Sequence, residues 1–225
     1  DITLLLGDYC TGQKGISGVV STEEWSDALS GLSAPLGVHA ILGNHDWWED
    51  EAAQQKGHGP IVSHTALENV GVQVYENYAV RIEKDGQAFW LAGLGDQLAL
   101  APRYGRARWS GVDDLGATLA MVTDDAPVIL MAHEPDIFPQ VPERVALTLS
   151  GHTHGGQIRL FGYSPYVPSR YHNRYAYAHI VESRPGVSEL RPATPRDLIV
   201  SGGLGCSILP VRFGMPPEIV VVEIG

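Results

Sequence analysis

Cysteine is almost absent: Cys10 and Cys206 are the only two in 225 residues, and neither belongs to a Cys-x-x-Cys pair. That count excludes a disulfide-braced scaffold and a thiolate zinc site, and it predicts two reduced thiols rather than a bridge. No apolar run approaches the roughly 18 residues of a transmembrane helix, and no basic-then-apolar leader is visible. Positive charge is scarce too. Lys and Arg number 15 against 26 Asp and Glu, a formal charge of -11, which disfavours nonspecific binding to nucleic acid. A small phosphorylated substrate stays compatible, because a bound divalent cation reverses the field locally. No segment repeats at a fixed period.

The residues present describe a globular chain. A hydrophobic fraction of 44% with 26 Gly and 15 Pro implies a sizeable core joined by many tight connections. The length suits one domain over residues 1–225, and no stretch has the composition of a linker. Asp1 runs straight into Ile2-Thr3-Leu4-Leu5-Leu6, as if the chain were cut just ahead of a core strand. An anchor or signal would then lie before Asp1, and the expected location is the cytoplasm or a membrane surface, with peripheral membrane contact through that N-terminal side.

Strands are expected at 2–7, 38–42, 72–75, 78–83, 88–94, 127–132, 145–150, 157–161, 198–202 and 219–224, with Asp85-Gly86 as a hairpin turn. Ser21-Thr22-Glu23-Glu24 caps a helix that carries Trp25, Leu29 and Leu32, and further helices are expected at 49–56 and 113–122. The opening beta-alpha-beta rhythm predicts a largely parallel sheet covered by helices, which antiparallel strands then enter. Residues 162–197 read as irregular and Tyr-rich, either an ordered loop over the active-site face or a partly mobile lid.

Four short segments end apolar runs and carry metal-binding chemistry: Gly7-Asp8-Tyr9, Gly43-Asn44-His45-Asp46, Met131-Ala132-His133-Glu134-Pro135 and Gly151-His152-Thr153-His154-Gly155-Gly156. Hydrolysis of a phosphate ester needs a nucleophile, an electrophilic clamp on the phosphoryl oxygens and relief of charge on the leaving oxygen, and a pair of divalent ions supplies all three. Asp8, at a strand end, is the candidate bridge between the ions. Asn44 offers a neutral carbonyl oxygen that adds no charge to a site receiving phosphate. His45 is then free to protonate the leaving oxygen or stabilise the phosphoryl oxygens, with Asp46 fixing its tautomer. His152 and His154, two apart on an extended backbone, face the same side. Standing alone, the Asn-His-Asp turn or the strand-end His133 would read as local turn chemistry or a hydrogen-bonded structural residue. Hard and borderline N and O donors suit Mn, Fe or Zn.

These blocks resemble the calcineurin-like metallophosphoesterases, in particular a bacterial phosphodiesterase-like branch with GHTHGGQ and a late GLG, LPVRF and PPE segment. Here they read Gly151 to Gln157, Gly203-Leu204-Gly205, Leu209-Pro210-Val211-Arg212-Phe213 and Pro216-Pro217-Glu218. The resemblance implies a four-layer α/β/β/α sandwich of two mixed sheets flanked by helices. It also implies that Asp8 bridges two divalent metal ions, that Asn44, His133 and His152 complete one and that His154 serves the other. His45 falls on the family's phosphate-contacting histidine, supported by Asp46. The family opens with an Asp-x-His segment on a first strand, and nothing here matches it, so an N-terminally truncated domain is expected.

The function expected is hydrolysis of a phosphodiester or pyrophosphate, with a small, lipid-linked or nucleotide-sugar substrate. A phosphomonoesterase or protein phosphatase, and a catalytically impaired peripheral scaffold, stand as alternatives. Arg103, Arg106 and Arg108, with Tyr104 and Trp109, are candidates to grip an anionic headgroup, or a solvated cluster. The tail around Gly202 to Gly205 and Arg212-Phe213 is expected to line or brace the substrate entrance, or simply to close the core.

Overall fold

Period-two alternation divides the apolar strand residues between the two faces of each sheet, and this division builds the layers. In the computed structural model, which describes residues 1–10, 18, 20–183 and 195–224, β1 (Thr3–Leu5), β2 (Val38–Ile41) and β3 (Gln73–Tyr75) form a parallel sheet in that order. A second, mixed sheet holds β4 (Tyr78–Lys84), β5 (Gln87–Gly93), β6 (Val128–Met131), β7 (Val145–Ser150), β8 (Ala178–Ser183) and β9 (Pro195–Val200), ordered β4-β5-β6-β7-β9-β8. Ile41 and Tyr75 of the first sheet meet Leu91 and Met131 of the second. Their strand neighbours Ala40 and Leu42 point the other way, into Trp47, Ala53, Ile61 and Leu67. On the far face of the second sheet Trp90, Ala92, Val128 and Leu130 pack against Ile137, Phe138 and Tyr175. Gly93 marks where the sheets come nearest: a Cβ there would overlap Tyr75 and lie 2.8 Å from Ile41 Cγ2.

The outer helices are α1 (Thr22–Leu29), α2 (Asn44–Trp48), α3 (Glu51–Lys56), α4 (Val62–Asn69) and α5 (Leu115–Ala120). The Ser21 and Glu24 capping box starts α1 as its sequence predicts. The helix expected at 49–56 is found as α3, beginning two residues later. Asp50 accepts the Ala53 N–H at 2.9 Å and so restarts the chain as α3, while α2 already begins at Asn44, inside the segment that carries the candidate ligands. The helix expected at 113–122 is shorter, capped by Asp114.

Three strand expectations change. Residues 157–161 form only single bridges, Ile158 to Phe213 and Leu160 to Tyr163. Residues 219–224 form no strand despite their apolar content, since a strand needs a ladder partner and none exists among the described residues. Conversely, the span expected to be irregular holds β8, which pairs antiparallel with β9, and a 3-10 turn at His172–Tyr175; residues 184–194 lie outside the described ones. Within the first sheet all strands run parallel, so the antiparallel pairs belong to the second sheet alone. Among the described residues no helix is long and apolar enough to cross a membrane.

Parallel pairing sets Leu5 beside Ala40 and Met131 beside Leu149. The C-terminal ends of β1, β2, β6 and β7 therefore open on one side of the molecule, and the loops after them converge there.

Candidate metal centre

The chain leaves β1 through two left-handed residues, Gly7 at φ +95° and Asp8 at φ +62°. This turn brings the Asp8 carboxylate over the end of β2. Asp8 Oδ1 accepts the His45 N–H at 2.9 Å, and Oδ2 lies 3.1 Å from His133 Nε2. Gly43 makes that approach possible, because a Cβ there would collide with the Asp8 carboxylate and sit 2.7 Å from His133 Cε1. His133 Nδ1 faces the Leu6 carbonyl at 2.5 Å, which turns Nε2 toward Asp8.

His152 completes the group. The donor atoms of Asp8, His133 and His152 all lie within 4.8 Å of one another, and His152 Nδ1 is 2.8 Å from Asn44 Oδ1. Asn44 and His133 are almost fully buried. His133 Nε2, although close to Asp8, makes no well-directed hydrogen bond and has no other partner. A buried imidazole nitrogen left this way among a carboxylate, an amide oxygen and a second imidazole is the arrangement of a cation site of mixed N and O donors, and these residues fit a divalent metal.

His154 stands apart from these donors: its Nδ1 is 3.3 Å from the Gly205 carbonyl and 3.4 Å from Arg212 Nη2. The extended backbone expected for His152 and His154 is not found. Both are left-handed, at φ +65° and +51°, and the intervening Thr153 is buried, so the loop folds back rather than running on as a strand.

Asp46 has a different job from the one expected. Its carboxylate takes the backbone N–H groups of Asp8, Tyr9, Cys10 and Gly43 at 2.8–3.2 Å and does not hold the His45 ring. His45 Nδ1 is buried without a partner, its Nε2 is 3.5 Å from Ser207 Oγ, and its ring stands edge-on to Trp48 with centroids 5.0 Å apart.

Electrostatics follow from this crowding. Burial raises the Asp8 carboxyl, but neighbouring His133, then His45 and His152, outweigh it and hold Asp8 below the usual carboxylate range. Burial also opposes charge on His133, yet Asp8 and Glu134 raise its imidazole to about 10. Burial lowers His152, and lowers His154 to about 4 with help from Arg212. Burial and the Asp8 charge raise Asp46 to about 7, against its N–H donors.

Two site residues escape the sequence reading. Asp96 and Glu134 form a second buried group with His133, again within 4.8 Å, and Asp96 Oδ2 and Glu134 Oε1 lack partners. The signal for Asp96 exists, since Gly93-Leu94-Gly95-Asp96 ends an apolar strand much as Gly7-Asp8 does. Trp48 is the other: it packs at a tilt of 41° against half-exposed Trp109, centroids 4.6 Å apart, and extends an aromatic row away from His45. Of the three arginines before Trp109, two are committed to backbone carbonyls, while Arg108 is exposed. Arg103 donates to the Trp48 carbonyl and Arg106 to that of Gln54, each at 2.6 Å, pinning their loop to the outer helices.

Sequence comparison places the chain in a family whose members carry such a centre. Residues 1–156 match the family model of the calcineurin-like phosphoesterases; the chain belongs to this metallophosphoesterase family. Its relatives include the metallophosphoesterase YkuE of Bacillus subtilis, 32% identical over 86% of this chain and 58% of YkuE. A metallophosphoesterase of Aquifex aeolicus is 30% identical over 100% of this chain and 72% of its own length. The phosphodiesterase YaeI of Escherichia coli is 28% identical, over 100% and 70%. The chain thus spans somewhat over half of YkuE.

Proposed function

We propose that residues 1–225 act as one catalytic domain that hydrolyses a phosphodiester or pyrophosphate bearing a lipid or nucleotide-sugar portion. The observation that carries this reading is the convergence of Asp8, Asn44, His133 and His152 on one point beside His45. Those four residues would hold divalent cations, with His154 serving a second ion and Asp8 shared between them. Mn, Fe or Zn suit the donors. Bound there, such ions supply Lewis-acid polarisation of the phosphoryl group and a nucleophile at neutral pH.

The chain's own residues do the rest. Asp8 fixes the His45 backbone through Oδ1, so the imidazole is aimed by the same carboxylate that faces His133. Because His45 Nδ1 is buried, Nε2 is the nitrogen that faces the substrate and delivers a proton to the leaving oxygen. Asn44 ligates without added negative charge. The Trp48 and Trp109 row offers an apolar aromatic surface for the substrate's non-phosphate portion. The name of the E. coli relative supports the diester preference.

The test is hydrolysis of bis(p-nitrophenyl) phosphate and p-nitrophenyl phosphate, with elemental analysis of the same preparation. Metal-dependent cleavage with the diester favoured is expected. A monoester preference above about tenfold in kcat/KM would overturn the diesterase assignment, and full activity without metal would overturn the mechanism.

A further inference from the structure

His45 must present Nε2 to the leaving oxygen, yet among the described residues no carboxylate holds its ring. The imidazole has one hydrogen-bond contact there, Nε2 to Ser207 Oγ at 3.5 Å, and Nδ1 is buried without a partner. A contact that long fixes little. Asp8 anchors the His45 backbone N–H, which leaves the rotation of the side chain open. An imidazole that delivers a proton to a leaving oxygen needs that rotation settled as well.

Trp48 is the group against which the ring rests. The two side chains are three residues apart on α2 and so are neighbours on its surface. Their rings meet edge to face at 62°, with centroids 5.0 Å apart. Pairs at this spacing are common on helices; here the indole is itself immobilised. Its Nε1 donates to the Leu98 carbonyl at 2.8 Å, and Trp109 packs against it. Leu98 is fixed in turn. Its N–H donates to Asp96 Oδ1 at 2.8 Å, while Gln97 donates through its backbone N–H to Glu134 Oε2 at 3.1 Å and through Nε2 to the Glu134 carbonyl at 2.8 Å. Asp96 and Glu134 are both almost fully buried, and Glu134 directly follows the candidate ligand His133. A continuous set of bonds therefore runs from the loop that carries His133, through residues 96–98, to the indole that meets His45.

We propose that Trp48 is a positioning residue for His45. The indole, pinned by the Leu98 carbonyl, sets the imidazole so that Nε2 keeps one direction toward the substrate, and residues 96–98 tie that direction to the loop bearing His133. An indole has no acceptor for an imidazole proton, so packing orients the ring without a partner that competes with the leaving oxygen for its proton. This role is additional to the apolar surface that Trp48 and Trp109 offer, and it rests on the reading of His45 as proton donor in a phosphoesterase.

A double-mutant cycle in the 225-residue chain tests it, with methyl phenyl phosphate and methyl p-nitrophenyl phosphate as substrates. Trp48→Leu should lower kcat on the phenyl ester roughly tenfold. On the p-nitrophenyl ester, whose leaving group needs little protonation, the change should stay below about twofold. Trp48→Phe keeps a ring without the N–H and should recover part of the loss. In a His45→Ala background Trp48→Leu should lower kcat no further. A mere brace for α2 would give the same loss in both backgrounds and on both esters, and that result would overturn the proposal. A second readout needs neither metal nor turnover: in the metal-free chain the His45 ring protons, assigned by their disappearance in His45→Ala, should shift in the nuclear magnetic resonance spectrum of Trp48→Leu. Unchanged positions in the folded variant would equally sink the idea. Should Trp48→Leu fail to fold, Gln97→Ala loosens the same strap without touching either ring; a kcat loss confined to the phenyl ester supports the proposal, and one equal on both esters contradicts it. A parent inactive on every ester would overturn the phosphoesterase reading, and the ring-proton shift would then decide whether Trp48 sets the His45 ring.

Discussion

Asp46 Oδ2 accepts the backbone N–H of Asp8 at 2.9 Å, a bond that joins the loop after β1 to the first turn of α2. With Tyr9, Cys10 and Gly43 also donating to the same carboxylate, one buried side chain holds both loops in register. The Asp46→Ala variant should lose about 3 kcal/mol of stability, because several buried N–H groups are left without acceptors. Urea denaturation would show it, together with weakened metal uptake. A variant of normal stability with only lowered kcat would return Asp46 to the role of a His45 partner.

Changing His45 to Ala should lower kcat roughly 100- to 10,000-fold while metal content stays near that of the parent, as expected for a proton donor that acts in the transition state. The loss should shrink for substrates with acidic phenol leaving groups, which need no proton. An equal loss across leaving groups, or loss of metal, would remove His45 from that role.

Asp8→Ala and His152→Ala should differ. Asp8 faces His133 and also holds the His45 N–H, so its removal should empty the centre beyond rescue. His152→Ala leaves Asp8, Asn44 and His133 and should be partly rescued by excess metal. Rescue of the Asp8 variant at the lower metal concentration would contradict the shared-ligand assignment.

In the metal-free chain, His133 is raised from its ordinary 6.5 to about 10 by Asp8. A group raised on folding contributes stability that is fully present below its unfolded value and lost as pH rises through its folded one. The thermal midpoint of the metal-stripped chain should therefore fall between pH about 6.5 and about 10, and His133→Asn should flatten that slope. An unchanged slope in the variant would show that the Asp8 and His133 contact does not carry it.

Trp109→Ala should raise KM for bulky aryl or nucleotide diesters several-fold and leave dimethyl phosphate analogues unaffected, measured as kcat and KM across a substrate series. A uniform fall in kcat would mark Trp109 as a brace for its loop instead.

The order of the ligand-bearing segments was written in the sequence, because each signal is local: an apolar β-branched run ending in Gly-Asp, Gly-Asn-His-Asp or Gly-His-Thr-His; the two-sheet sandwich came only through the family resemblance that those motifs carry. The strand ends were legible for the same reason, and parallel pairing needed only the beta-alpha-beta rhythm. The tertiary structure decided everything that depends on residues distant in the chain. Asp46 serves backbone groups 36 to 38 positions away, which no spacing announces. Asp96 meets Glu134 and His133 only because β5 and β6 lie side by side, and Trp48 meets Trp109 only because a loop is pinned over the helices. The half-exposed β8 exists through its pairing with β9, whereas the apolar residues 219–224 have no such partner among the described residues and form no strand. Side-chain type fixes what a residue can bond to, but a buried bond or a strand ladder exists only when the fold delivers the other half.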